Sequence, residues 1–176
     1  MVACWPSVKN GDDVYQGSTV VACVAGLTDA TVAGIPYKSP SNKSISGTAT
    51  VNAAGTEIGL TIEQANSLNA QGIVTFLNQF QGWVVWGNRA ACYPGTTDTK
   101  DAMIPVRRMF DWVDNAVILT VQSNVDEPGN RRQIDIVVGT INGFLNGLVT
   151  QGALVAGKTE FRADENSTTE MADGHY

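Results

Sequence analysis

The chain has 176 residues, 43% of them hydrophobic, and a formal net charge of -6 from 11 lysines and arginines against 17 aspartates and glutamates. Its basic residues form no run longer than the pairs Arg107-Arg108 and Arg131-Arg132, which argues against a surface built for nucleic acid or an anionic membrane. The length supports one sizeable core, read as a single domain over residues 1–176 with an N-terminal α/β part at 1–80 and a C-terminal part at 81–176.

Charged residues make up only 16%, below the usual quarter or so, which fits either a surface covered by a partner or a loop content rich in Gly and Thr. The longest nearly apolar run, residues 19–27, is too short to cross a bilayer, so no membrane insertion is expected. Neither end has the pattern of a targeting peptide, and the chain is read as soluble. Cys4, Cys23 and Cys92 are odd in number and form no CxxC pair, so they are expected to be reduced structural thiols in a cytoplasmic compartment.

Residues 2–5 read as a short strand ended by Pro6. A chain that opens on an apparent interior strand is expected to be a piece of a longer subunit. Residues 14–27 are helical by pattern, with Val20, Val21, Val24 and Leu27 in one stripe. Residues 38–43 are a loop by composition, and the Thr-rich segments 44–51 and 56–60 read as edge strands. Thr61 and Gln64 form a capping box that starts a helix running to about Gln71 and stopping at Gly72. Residues 72–80 and the run QGWVVWGNR at 81–89 then make a β-hairpin turning at Gln81-Gly82. A two-stranded ribbon alone is marginal in water, so helices must pack on it.

After a turn at 93–100, a helix starting from Pro105 carries Val106, Met109, Phe110, Val113, Val117, Ile118 and Val121 at spacings of three and four. Its other face holds Arg107, Arg108, Asp111, Asp114 and Asn115. Pro128-Gly129 breaks the pattern, and a second helix from about Arg131 carries Ile134, Val137, Val138, Ile141, Leu145 and Leu148 on one face. Gly139, Gly143 and Gly147 repeat every four residues beside that stripe. Because interior glycine costs a helix roughly 1 kcal/mol against alanine, close packing on the backbone is expected there. Residues 153–161 read as a strand, followed by a polar segment at 162–174.

The sequence offers little for chemistry. Its single histidine, His175, leaves triads and histidine metal clusters without members. No phosphate-binding glycine loop occurs, and the acidic pairs Asp111/Asp114, Asp126/Glu127 and Asp164/Glu165 lack calcium-loop spacing. Trp83 and Trp86 are three apart, so a strand points them to opposite faces, unlike a stacking platform. Arg89 could serve an anion, cap the helix behind it or bond a carboxylate. No catalytic, cofactor-binding or metal-binding residue is assigned, and no cofactor is expected.

Taken together, four stretches carry a resemblance: Gly82, Trp83, Trp86, Gly87, Asn88 and Arg89 in GWVVWGNR; IPVRRMFDW at 104–112 with Arg108; VDEPGNRR at 125–132 with Pro128 and Asn130; and GAL at 152–154. With residues 22–26, Asp29 and Ser39-Pro-Ser-Asn42 upstream, their order and spacing resemble the contractile-tail sheath proteins of bacteriophages and related prophage or bacteriocin particles. The resemblance implies a non-enzymatic subunit that stacks with other sheath subunits as hexameric rings around a tail tube protein and contracts to drive the tube through an envelope. It implies residence in a virion tail or tail-like particle assembled in the host bacterial cytoplasm. Family members link subunits through terminal arms; against that pattern both arms are expected to be missing from this stretch, with an unpaired sheet edge as the expected consequence.

The expected fold is α/β (α+β): a mixed β-sheet with a central hairpin, made from residues 73–87 and 153–161 and covered by the two long helices. Trp83, Trp86, Phe110, Trp112 and Ile141 are the residues expected to carry the fold, with one of the two hairpin tryptophans in the core and the other under a loop or at an interface. Tube or intersubunit contact is expected from Arg107, Arg108, Asp111 and Asp114, or from Arg131, Arg132 and Asp135. The alternative is a small α/β enzyme or anion-binding module using Arg89.

Overall fold

The computed structural model describes residues 1–79, 82–122, 131–162 and 164. The expected turn residue Gln81, the break at Pro128-Gly129, the acidic pair Asp126/Glu127 and His175 lie outside the described residues. The chain forms two compact units, Met1–Trp112 and Val113–Tyr176. Its helices and two mixed or antiparallel three-stranded sheets make an α+β fold.

In the first unit, β1 (Ala3–Cys4) lies parallel to β5 (Ile73–Gln79), which pairs antiparallel with β6 (Gly82–Trp86). The hairpin register sets Phe76 opposite Val85 and Asn78 opposite Trp83. Strand alternation therefore sends Val74, Phe76, Trp83 and Val85 to one apolar cluster with Val8, Val21, Val24 and Ile104. Leu77, Val84 and Trp86 face a second cluster around the fully buried Ala65. The two tryptophans thus occupy opposite faces, as their spacing requires.

A second sheet, absent from the sequence reading as a unit, has the order β3 (Asp13–Tyr15), β2 (Ser7–Asn10), β4 (Ala49–Val51). Of the Thr-rich segments, only Ala49–Val51 is a regular strand; Ser44 and Glu57 make isolated bridges. The helix α1 spans Gly17–Ala30, later than residues 14–27, because Val14 belongs to β3 and pairs with Lys9. Helix α2 (Ile62–Asn69) begins with the capping box: the Gln64 amide donates to Thr61 Oγ1 at 3.3 Å and the Thr61 amide to Gln64 Oε1 at 3.0 Å.

The expected sheet is corrected in two respects. Its third strand is β1, not residues 153–161, and the helices packed on its strands are α1 and α2. Helix α4 (Ile104–Gln122), which follows the short α3 (Thr99–Ala102), buries Ile104 and Met109, but Phe110 is 46% exposed and Ile118 62% exposed. Phe110 is therefore no core residue here: the apolar stripe of α4 enters the core only through its first turns.

In the second unit, α5 (Arg131–Thr150) buries Ile141, Leu145 and Leu148 on its predicted stripe. Residues 153–161 run back along this helix without joining a ladder among the described residues. Asn142 takes the place of a strand partner: its Nδ2 donates to the Thr159 carbonyl and the Thr159 amide donates to its Oδ1, both at 2.8 Å. Gly157 sits against Leu145, so alternation in sequence is used here for packing on a helix. The close packing expected on Gly139, Gly143 and Gly147 is not present within the described residues; a Cβ at each would meet open space.

The thiols divide by environment. Cys23 and Cys92 are exposed, whereas Cys4 packs against the main core and burial pushes its pKa up to about 11. Because the folded thiol titrates above its unfolded value, its stabilising effect holds below the ordinary thiol pKa and is lost as pH rises through about 11. At pH 8, iodoacetamide is expected to label Cys4 in the folded protein roughly two orders of magnitude more slowly than in the denatured chain, the deficit in thiolate. Mass spectrometry of timed samples reads this, and equal rates in the two states would contradict it.

Candidate functional site

The run from Gly82 to Arg89 ties three parts of the first unit together. The backbone of β6 bonds on its outer side to the 42–45 segment, with the Asn42 amide donating to the Val85 carbonyl at 2.7 Å and the Ile45 amide to the Trp83 carbonyl at 2.9 Å. Gly87 N–H donates to Ser41 Oγ at 3.1 Å, and Ser39 Oγ donates to Asn88 Oδ1 at 2.8 Å. The Asn88 carbonyl in turn accepts from the Ile104 amide at 3.0 Å. Asn88 therefore clamps the 39–43 loop with its side chain and holds the start of α4 with its backbone. The Trp86 indole N–H donates to Asn66 Oδ1 at 3.0 Å, fixing α2 to the hairpin.

Arg89 follows directly on the exit of the hairpin. Its guanidinium stacks over the Tyr93 ring, 3.8 Å from the centroid, a cation–π contact that orients the turn after the hairpin. Two grooves of the first unit are lined by residues around Val24 and Lys38 and around Leu60 and Trp86. Among the described residues no three histidines, cysteines or carboxylates come together as a metal site. No described helix is long and apolar enough to cross a membrane.

The charged residues of α4 and α5 fall into two kinds. Arg107 joins Asp101 at 3.2 Å and also Asp111, on the exposed face of α4, and both carboxylates hold the guanidinium's pKa above its ordinary value. Asp114 is exposed. On α5, Arg131 pairs with Asp135 at 3.3 Å and lies over the Phe161 ring, and Arg132 is exposed. Arg108 stands apart: it forks onto both carboxylate oxygens of Asp29 near the end of α1, with Asp29 only 14% exposed. These partners are 79 residues apart. No local signal in the sequence joins them, although each lies in a stretch that carries the sheath resemblance. Pro128 and Asn130 lie outside the described residues.

The Arg108 fork links two elements of one core, so its loss acts on stability before any surface property. Arg108→Ala is expected to cost about 1.5–3 kcal/mol, because a mostly buried Asp29 loses a charge-assisted bidentate partner. Urea unfolding of the variant against Asp29→Ala and the double variant reads the coupling; additive single effects would show that the fork contributes nothing.

No family model matches the chain. It is 36% identical over 111 residues to the tail sheath protein of Burkholderia phage BcepMu, a match covering 62% of this chain and 23% of that protein. In fold it resembles a chain of the anti-feeding prophage baseplate, with a TM-score of 0.81 and 26% identity over 98% of this chain and 48% of that one. A chain of the anti-feeding prophage helical sheath in the contracted state gives a TM-score of 0.73 and 28% identity, covering 90% of this chain and 43% of that one. The chain is a homologue of contractile tail sheath proteins. It spans about a quarter of the phage sheath protein and under half of each solved chain.

For this sheath homologue, several of the described residues that carry the resemblance make contacts within the first unit. Trp83 and Trp86 anchor the two faces of the hairpin, Gly87 and Asn88 fasten its exit, and Arg108 bolts α4 to α1. The sequence reading placed Arg108 on a contact face; the structure gives it an internal partner.

Proposed function

We propose that this chain is part of a structural subunit of a contractile tail sheath, stacking with further copies as hexameric rings around a tail tube and shortening to drive the tube through a cell envelope. The supporting observation is fold likeness combined with sequence identity over nearly the whole chain, 98% of it at a TM-score of 0.81. The work is mechanical: an extended sleeve held in a kinetic trap exchanges one set of intersubunit contacts for a better-packed one, and no covalent step is needed. The exposed apolar residues of α4 and α5, Phe110, Ile118, Leu119 and Ile136, are suited to such contacts. The particle is a virion tail or a tail-like injection device assembled in the host bacterial cytoplasm.

The charged faces are assigned to the tube or to neighbouring subunits: Arg107, Asp111 and Asp114 on α4, or Arg131, Arg132 and Asp135 on α5. Arg108 is left out of this role because Asp29 occupies it. Charge reversal of each set, followed by assembly on purified tube and electron microscopy, tests the assignment. The reversal at the true contact is expected to strip sheath from tube; unchanged decoration after both reversals would sink it.

A further inference from the structure

The first unit carries two exposed patches of opposite chemistry. One is a groove of about 280 Å³ along the second half of α1, floored by Val24 and Thr28, edged by Leu27, and flanked by Lys38 and Lys43. Leu27 is 65% exposed, and both lysines are exposed. Six of the other described cations sit in ion pairs with carboxylates, and Arg89 lies over Tyr93. Lys38 and Lys43 pair with no carboxylate among the described residues, and both face the same groove. The other patch is the tip of the β2–β3 hairpin, where Asp12 and Asp13 precede Val14 and Tyr15, which are 55% and 45% exposed. Neither aspartate has an ion-pair partner among the described residues.

These patches cannot meet within one unit. The hairpin leads directly into Gly17 at the start of α1, whereas the groove flanks the far half of this 14-residue helix. At 1.5 Å per residue the helix is about 21 Å long, and it separates the two. Two carboxylates beside two apolar side chains on one patch, and two ammonium groups beside a leucine and a valine on the other, are complementary in charge and in apolar content.

We infer that the Asp12-Asp13 hairpin tip of one copy docks in the Lys38/Lys43 groove of a second copy. The inference rests on the sheath reading for its occupant, a copy of the same chain. Because the patches differ, the contact is heterologous: each copy offers a tip and a groove, and the contact repeats into a ring or a helix instead of closing as a two-fold dimer.

Charge reversal tests this in the full chain, with sedimentation velocity over a concentration series as the readout and circular dichroism as a check on folding. Lys38→Glu with Lys43→Glu, and separately Asp12→Lys with Asp13→Lys, are each expected to weaken self-association by roughly tenfold or more. The aspartate variant is diagnostic, since it brings the net charge closer to zero and a non-specific charge effect would strengthen association. Combining all four substitutions is expected to restore association. If the wild-type chain assembles and the two double variants assemble equally well, this contact is overturned while the sheath reading stands. If the wild-type chain does not associate at all, both fall.

Discussion

Alanine at position 72 is expected to remove more than about 3 kcal/mol of stability and to abolish folding of the first unit at 37 °C. Gly72 sits between α2 and β5 with a φ of +75°, in the left-handed region that costs an L-residue about 1–2 kcal/mol. A Cβ there would also lie 2.6 Å from the carbonyl oxygens of both Ala90 and Tyr93. Those are backbone atoms, so no side-chain rotation relieves the clash, and the turn after β6 would have to move. Chemical denaturation monitored by tryptophan fluorescence measures the loss. A cost below about 1 kcal/mol would mean that the turn at 90–93 yields, and that α2 and β5 are not held in place by this close approach.

Truncation of Phe76 is the second large effect. Its ring is fully buried at the centre of the main cluster, opposite Val85 in the hairpin, with Gly17 of α1 directly over it. Gly17 is packed so closely that an added Cβ would lie 3.0 Å from the ring. Phe76→Ala removes the ring on which α1 and β5 meet, and the rigid backbone around Gly17 cannot collapse into the space. The expected cost is about 3–5 kcal/mol, measured by the same denaturation. Phe76→Leu, which keeps most of the volume, is expected to cost clearly less; equal losses would show that shape at this site matters more than filled volume.

What the sequence made legible was local. Thr61 and Gln64 announce a helix start because both halves of a capping box lie within one turn, and the bonds form as expected. The hairpin of β5 and β6 follows from alternation, which also places Trp83 and Trp86 on opposite faces. The two long helices follow from apolar spacing over 19 and 20 residues.

What stayed hidden depends on distant partners. The short strand read at residues 2–5 is in place as β1, but its partner lies 70 positions away, as Ala3 beside Ile73 shows, and no periodicity reveals that pairing. Val14 fits a helical stripe and a strand equally well until Lys9 takes it into β3. Residues 153–161 have strand composition, yet the amide of Asn142 satisfies the backbone at Thr159 and keeps the segment on α5. Arg108 looks like any surface charge on an amphipathic helix until Asp29 arrives from α1. For the candidate contacts, the sequence supplied the charges, and only the structure separated the internal one from those on exposed faces.

The central claim is that this chain builds a contractile sheath, and electron microscopy of the full-length protein expressed alone tests it most directly. Tubular polymers or stacked six-fold rings are the expected result. A monodisperse monomer at every concentration, with no rings and no tubes in the presence of purified tail tube, would contradict it.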